Sequence, residues 1–165
     1  MPVTGTVLTG RKMRLTRAGE YAVRCVLYLS AKGGNKLIGR KEIAVQCDIP
    51  DKFLAKIAQQ LARIGLLEIR QGARGGYLLK KEPAAISLLE VVEAIIGEIS
   101  LNDCVTSSEV CRASANCAVN RVWIQARNQL RATLGEVSFA ELLREDSCFL
   151  YPLPRPLDFR EKANP

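Results

Sequence analysis

A chain of 165 residues with 48% hydrophobic side chains holds enough apolar material for a folded core, which excludes wholesale disorder. It has six cysteines and no histidine, so Cys/His zinc sites and histidine-dependent triads are excluded, and a cysteine nucleophile lacks its usual base. The net charge of +7 is uneven: residues 1–81 carry sixteen basic and five acidic side chains, residues 82–165 eight basic and twelve acidic. The basic half suits a polyanion and the acidic half does not.

The opening MPVTGTVLTGRKMRLTR has no apolar run of signal-peptide type, and no stretch of eighteen apolar residues follows. Residues 1–12 read as a loose leader, with Met13 an alternative start, and the protein is expected in the cytoplasm. In that reducing compartment the cysteines stay free thiols.

The first helix is predicted over Thr16–Ala31, with Thr16 as N-cap and Ala18, Ala22, Cys25, Val26 and Leu29 on its apolar side. Gly33-Gly34-Asn35 ends it. A short helix over Arg40–Gln46 follows, and Asp48-Ile49-Pro50 makes a tight break, because Pro50 can open a helix but not continue one. The next helix, Asp51–Ile64, has an apolar stripe of Leu54, Ile57, Ala58, Leu61 and Ile64. Its other face carries Lys52, Ala55, Lys56, Gln59 and Arg63, and Gly65 stops it.

Two short strands, Leu67–Arg70 and Tyr77–Leu79, flank the glycine-rich turn Gln71–Gly76 and read as a hairpin. This order of elements is that of a winged helix-turn-helix, whose second helix enters the major groove. A helix is then predicted over Ile86–Ile96, with Ile86, Leu89, Val92 and Ile96 inward. The polar stretch CVTSSEVCRASANC holds three thiols, although cysteines usually hide in cores. A longer helix, Asn120–Leu134, repeats Val122, Ala126, Leu130 and Leu134 at every fourth residue with Trp123 beside them, a pattern suited to a dimer interface. A short helix at Ser138–Leu143 and a proline-rich tail close the chain. The fold class is therefore mainly α with a small β-hairpin: a winged helix-turn-helix plus a long dimerisation helix.

The opening MRLTRAGEYAVR, the stretch IPDKFLAKIAQQLARIGLLEIRQGARGGYLL and the three-cysteine segment together resemble the iron–sulfur winged-helix regulators typified by IscR and NsrR, the Rrf-two family. The likeness spans residues 13–143. Its most specific parts are the MRLT opening, the R-x-G-x-x-G-G-Y wing that starts at Arg70 and the three-cysteine loop ahead of the dimer helix. What the resemblance implies is a homodimeric transcriptional repressor or activator, not an enzyme. It would bind double-stranded DNA at a roughly palindromic operator, with affinity set by an iron–sulfur cluster that reports redox state, nitric oxide or iron–sulfur supply. The implied DNA contacts are Lys52, Ala55 and Lys56 on the recognition helix and Arg74 in the wing. Lys52 and Lys56, one turn apart, suit phosphate or a guanine edge, whereas Ala55 suits only a thymine methyl.

The implied cluster ligands are Cys104, Cys111 and Cys117, whose C-x6-C-x5-C spacing is not distinctive by itself. Members typified by IscR carry a histidine three residues after the third cysteine, where this chain has Asn120. A fourth ligand must come from elsewhere: Glu20, reaching across a dimer, or Cys148. Cys25 and Cys47 read as core filler. Both 2Fe–2S and 4Fe–4S clusters stay open, as does a cluster-free regulator responding to a metabolite, a partner or thiol oxidation. The expected organisation is a leader (1–12), a DNA-binding domain (13–82), a linking helix (83–99), a cysteine loop (100–119), a dimerisation region with a short C-terminal helix (120–145) and an extended tail (146–165).

Overall fold

The computed structural model describes residues 16–33, 35–107 and 116–144. The leader, the tail, Cys111 and Cys148 lie outside these residues.

Helix α1, Arg17–Ala31, begins where the Thr16 hydroxyl accepts the Gly19 N–H at 3.2 Å. It runs through the middle of the core, burying Ala22, Cys25, Val26 and Leu29. Helix α2, Arg40–Gln46, contributes Ile43. Asp48 then adopts φ 51°, a left-handed conformation that reverses the chain in one step, and α3 runs over Asp51–Arg63. Leu54, Ile57, Ala58 and Leu61 are buried as the periodicity predicts. Ile64 is not: it is the C-cap and stands 43% exposed, because the helix stops before its side chain can join the stripe.

Strands β1 (Leu67–Arg70) and β2 (Gly76–Leu79) pair antiparallel, with Leu67 opposite Leu79 and Arg70 opposite Gly76. Ile38 adds a bridge to β2, exchanging two 2.9 Å hydrogen bonds with Tyr77 and so tying the wing to the segment before α2.

The helix predicted over Ile86–Ile96 is divided. Pro83–Ala85 form a 3-10 turn, Ile86 is extended and fully buried, and α4 covers Leu88–Ile96. The Ser87 hydroxyl accepts the Glu90 N–H at 3.1 Å and starts the helix there. Val92 is buried as expected, with Val91 beside it, whereas Ile96, the last residue of the helix, is 39% exposed. Helix α5, Asp103–Thr106, is a single turn; α6 is Ala118–Glu136 and α7 Phe139–Arg144. Leu88 N–H to Val137 O (2.9 Å) and Phe139 N–H to Ile86 O (3.0 Å) fasten the end of α6 and the start of α7 to the base of α4. Phe139 is completely buried there. No helix among the described residues is long and apolar enough to cross a membrane.

Candidate nucleic-acid interface and cysteine site

Because α3 commits Leu54, Ile57, Ala58 and Leu61 to the core, its opposite face stands clear. Lys52, Lys56 and Gln59 are exposed and Ala55 is half-buried between them. Facing this helix across a cleft of about 1060 Å³ is the wing, and Ala55 and Gln59 on one side meet Gln71, Gly72 and Ala73 on the other. Arg74 is exposed on the same turn. Two glycines give the wing its shape. Gly72 has φ +103°, and a Cβ on Gly76 would lie 2.1 Å from the Ile38 carbonyl oxygen, so only glycine lets the two backbones pass. Of the four expected DNA-contacting residues, Ala55 lines the cleft, while Lys52 and Lys56 on α3 and Arg74 on the wing turn are exposed outside its lining.

At the floor of that cleft stands a feature that periodicity does not reveal. The Arg40 guanidinium, at the start of α2, donates from Nε to Asp51 Oδ1 at 2.6 Å and from Nη2 to Asp51 Oδ2, a two-point grip on the first residue of α3. The pair holds the Asp51 carboxyl below its ordinary range and pushes the guanidinium further up.

Glu20 lies in the first turn of α1, paired with Arg24 at 3.8 Å. Arg24 rests over the Tyr21 ring at 5.7 Å, and Tyr21 meets Phe53 of α3 edge-on with centroids 6.0 Å apart. Arg24 also donates a long bond (3.5 Å) to the Cys47 carbonyl, at the end of α2.

The cysteine segment is less of a loop than its composition suggests. The Asn102 side chain accepts the Asp103 N–H at 2.9 Å and starts α5, so Cys104 sits on a helical turn; Cys117 is the N-cap of α6. Both thiols are half-buried. Asn120, only 6% exposed, joins the two elements: its Nδ2 donates to the Cys104 carbonyl at 2.8 Å. The residue at the position of the histidine in IscR-type members is thus a clasp between α5 and α6. Two soft thiols on adjoining elements fit a thiolate-held iron group, as far as the described residues extend. Glu20 is not brought to them within one chain, and no three His, Cys, Asp or Glu side chains converge among the described residues.

Cys25 and Cys47 are core filler, as expected. Burial drives the Cys25 thiol far above its ordinary range and pushes Cys47 up to about 12, which leaves neither ready to bind metal. Helix α6 is anchored by charge: Arg131 bridges Glu93 of α4 and Glu98 just beyond it, each at 2.9 Å. Val119, Val122, Trp123 and Leu130 stay exposed along it.

The family model for Rrf2, "Iron-dependent Transcriptional regulator", matches residues 15–145. Protein aau3 of Rhizobium meliloti (strain 1021) is 32% identical over 148 residues, spanning 88% of this chain and 96% of its own. The regulator NsrR of Shouchella clausii (strain KSM-K16) is 30% identical over 136 residues, spanning 81% and 91%. Among solved structures, the oxidized form of Staphylococcus aureus CymR superposes with a TM-score of 0.62 at 26% identity, covering 79% of this chain and 95% of CymR. A helix-turn-helix with its wing, followed by an anchored long helix, and a family match running from the cap of α1 to the end of α7 lead to one conclusion: the chain belongs to the Rrf2 family of transcriptional regulators.

Proposed function

We propose that this regulator is a cytoplasmic homodimer whose affinity for a palindromic operator is set by an iron–sulfur cluster. In this reading residues 13–82 read DNA through Lys52, Ala55, Lys56 and Arg74. Residues 83–99 link to the cysteine segment 100–119, and α6 within 120–145 pairs with its counterpart through Val119, Val122, Trp123 and Leu130. Cys104, Cys111 and Cys117 would hold the cluster, with Glu20 of a second copy as the fourth ligand. A bound cluster supplies a redox-active centre whose loss or oxidation is the signal. The observation that supports the reading is the clasp: Asn120 holds the Cys104 turn against the start of α6, which Cys117 caps, and both thiols stand half-buried in a polar segment rather than in the core. The family's description as iron-dependent points the same way. Glu20 suits a releasable ligand, since a carboxylate is a harder and weaker donor to iron than a thiolate, and Arg24 stands ready to take it back.

The test is an air-free preparation with its visible spectrum and its iron and sulfide content, beside Cys111→Ala and Glu20→Ala. A brown protein with acid-labile sulfide, bleached in Cys111→Ala and short-lived in Glu20→Ala, is the expected result. A colourless protein, even after reconstitution with iron and sulfide, removes the cluster.

A second reading keeps the DNA binding and drops the metal. Cys104 and Cys117 are half-buried rather than sealed, so an oxidant reaches them, and the CymR relative was solved in an oxidized form. Here peroxide alone would alter DNA affinity in a colourless protein, and Cys104→Ser would abolish that response.

A further inference from the structure

The cleft between α3 and the wing has a cation that the recognition helix does not supply. Arg40 belongs to α2, and with Lys41 it lines the same cleft as Ala55 and Gln59. Asp51 takes the Nε–H and one N–H of Nη2, and the two acidic oxygens fix the guanidinium plane. Three of the five guanidinium N–H groups, two on Nη1 and one on Nη2, are left for another acceptor. Both side chains of the pair are about half exposed, at 47% and 49%, so a large anion reaches them. A free arginine gives up rotamer freedom when it grips a ligand, whereas this one is already ordered.

We propose that Arg40, held by Asp51, is a pre-set phosphate contact of the DNA interface, and that Asp51 sharpens operator selectivity by repelling any backbone not in register with Arg40. The proposal rests on the DNA-binding reading. Arg40 meets a phosphate at one fixed position, which sets register without reading a base. Asp51 does two things at once. It aims the guanidinium, and its own charge, offset only while Arg40 covers it, makes displaced or non-specific backbones unfavourable. An exposed pair of this kind adds little to folding stability, so variants at either position keep the fold.

The experiment measures affinity against salt for wild type, Arg40→Ala and Asp51→Asn. The probes are the duplex enriched by wild type from a random pool and a scrambled duplex of the same composition. Arg40→Ala is expected to weaken the enriched duplex about tenfold and to lower the logarithmic salt slope by about one. Asp51→Asn is expected to tighten the scrambled duplex while the enriched one gains nothing, so their ratio narrows. Arg144→Ala on α7, outside the cleft, controls for bulk charge. An unchanged salt slope in Arg40→Ala, or an equal gain on both duplexes in Asp51→Asn, overturns the proposal. Failure of wild type to enrich any duplex instead overturns the DNA-binding reading on which it rests.

Discussion

Replacing Asn120 by Ala tests whether the cysteine site is built or incidental. Asn120 is 6% exposed, and among the described residues its side chain bonds the Cys104 carbonyl at 2.8 Å. Among the described residues the backbone bonds of that turn, Val105 N–H to Asn102 O and Ser107 N–H to Asp103 O, both 3.0 Å, are internal to it. Losing the donor removes a net hydrogen bond and leaves the Cys104 carbonyl partly desolvated without a partner, together about 1–2 kcal/mol. Nearly all of that falls on the local opening of α5, not on global unfolding, because the core lies elsewhere. At about 1.4 kcal/mol per factor of ten, opening becomes roughly five to thirty times more frequent. Amide hydrogen exchange at Val105 and Ser107 should accelerate by that factor, while the amides of α1 and α3 keep their rates. Asn120→Asp preserves the shape without the donor, and in the first turn of α6 its charge favours the helix. It should accelerate the same two amides. Unchanged exchange at Val105 and Ser107 in both variants would refute the clasp.

Three further outcomes follow from particular atoms. Gly76→Ala drives a Cβ into the Ile38 carbonyl and should break the Ile38–Tyr77 bridge at about 1–3 kcal/mol; thermal unfolding like wild type would count against it. Phe139→Ala empties a fully buried site at the start of α7, the helix that packs on α1 and the 3-10 turn, and should cost about 3–5 kcal/mol in urea unfolding. For the buried thiols, an unfolded cysteine loses its proton near pH 8.5, but Cys47 keeps it to about 12 and Cys25 beyond that. Between those limits the folded state binds more protons than the unfolded one. Stability is therefore full below about pH 8.5 and falls as pH rises, by about 1.4 kcal/mol per pH unit for each thiol. Urea midpoints under reductant at pH 8 and pH 10 should show the fall, and Cys25→Ala should halve it; an unaltered slope in that variant would sink the account.

The parts of this molecule that were legible in the sequence are those decided by near neighbours. The Thr16 cap, the Leu54–Leu61 stripe and the hairpin each depend on residues close by in the chain, and spacing and turn chemistry report them. Apolar Ile86 continues the helical pattern, yet the Ser87 hydroxyl caps the helix so that α4 begins two residues later, at Leu88, and Ile86 is buried in extended backbone instead. Cys104 was expected on a loop because polar residues surround it, yet those same residues include the Asn102 cap. Two features were out of reach in principle. The Asn120–Cys104 and Arg40–Asp51 bonds join residues 16 and 11 apart, and nothing in an alternating pattern selects one polar partner over another. Glu20 marks a different boundary: whether it meets the cysteines depends on a second chain.

Under the dimeric reading, α1 is the element that joins signal to DNA. Its first turn carries Glu20, and one turn further Arg24 pairs with Glu20, covers Tyr21 and donates to the Cys47 carbonyl. Cys47, whose thiol is chemically inert, returns an S–H bond to the Arg24 carbonyl at 3.7 Å, so α1 is stitched to the turn before α3 from both sides. Tyr21 against Phe53 adds a contact to the first turn of α3 itself. A displacement of α1 therefore carries the recognition helix with it, and packed elements shift as units rather than bending. DNA half-sites lie at a fixed spacing of about one helical turn, so a small change in the distance between two recognition helices removes contacts on one side. Coupling of this kind needs no long relay. Under that reading, Glu20 held by a second chain and Glu20 paired with Arg24 would be two discrete arrangements of one side chain, each with its own position of α1.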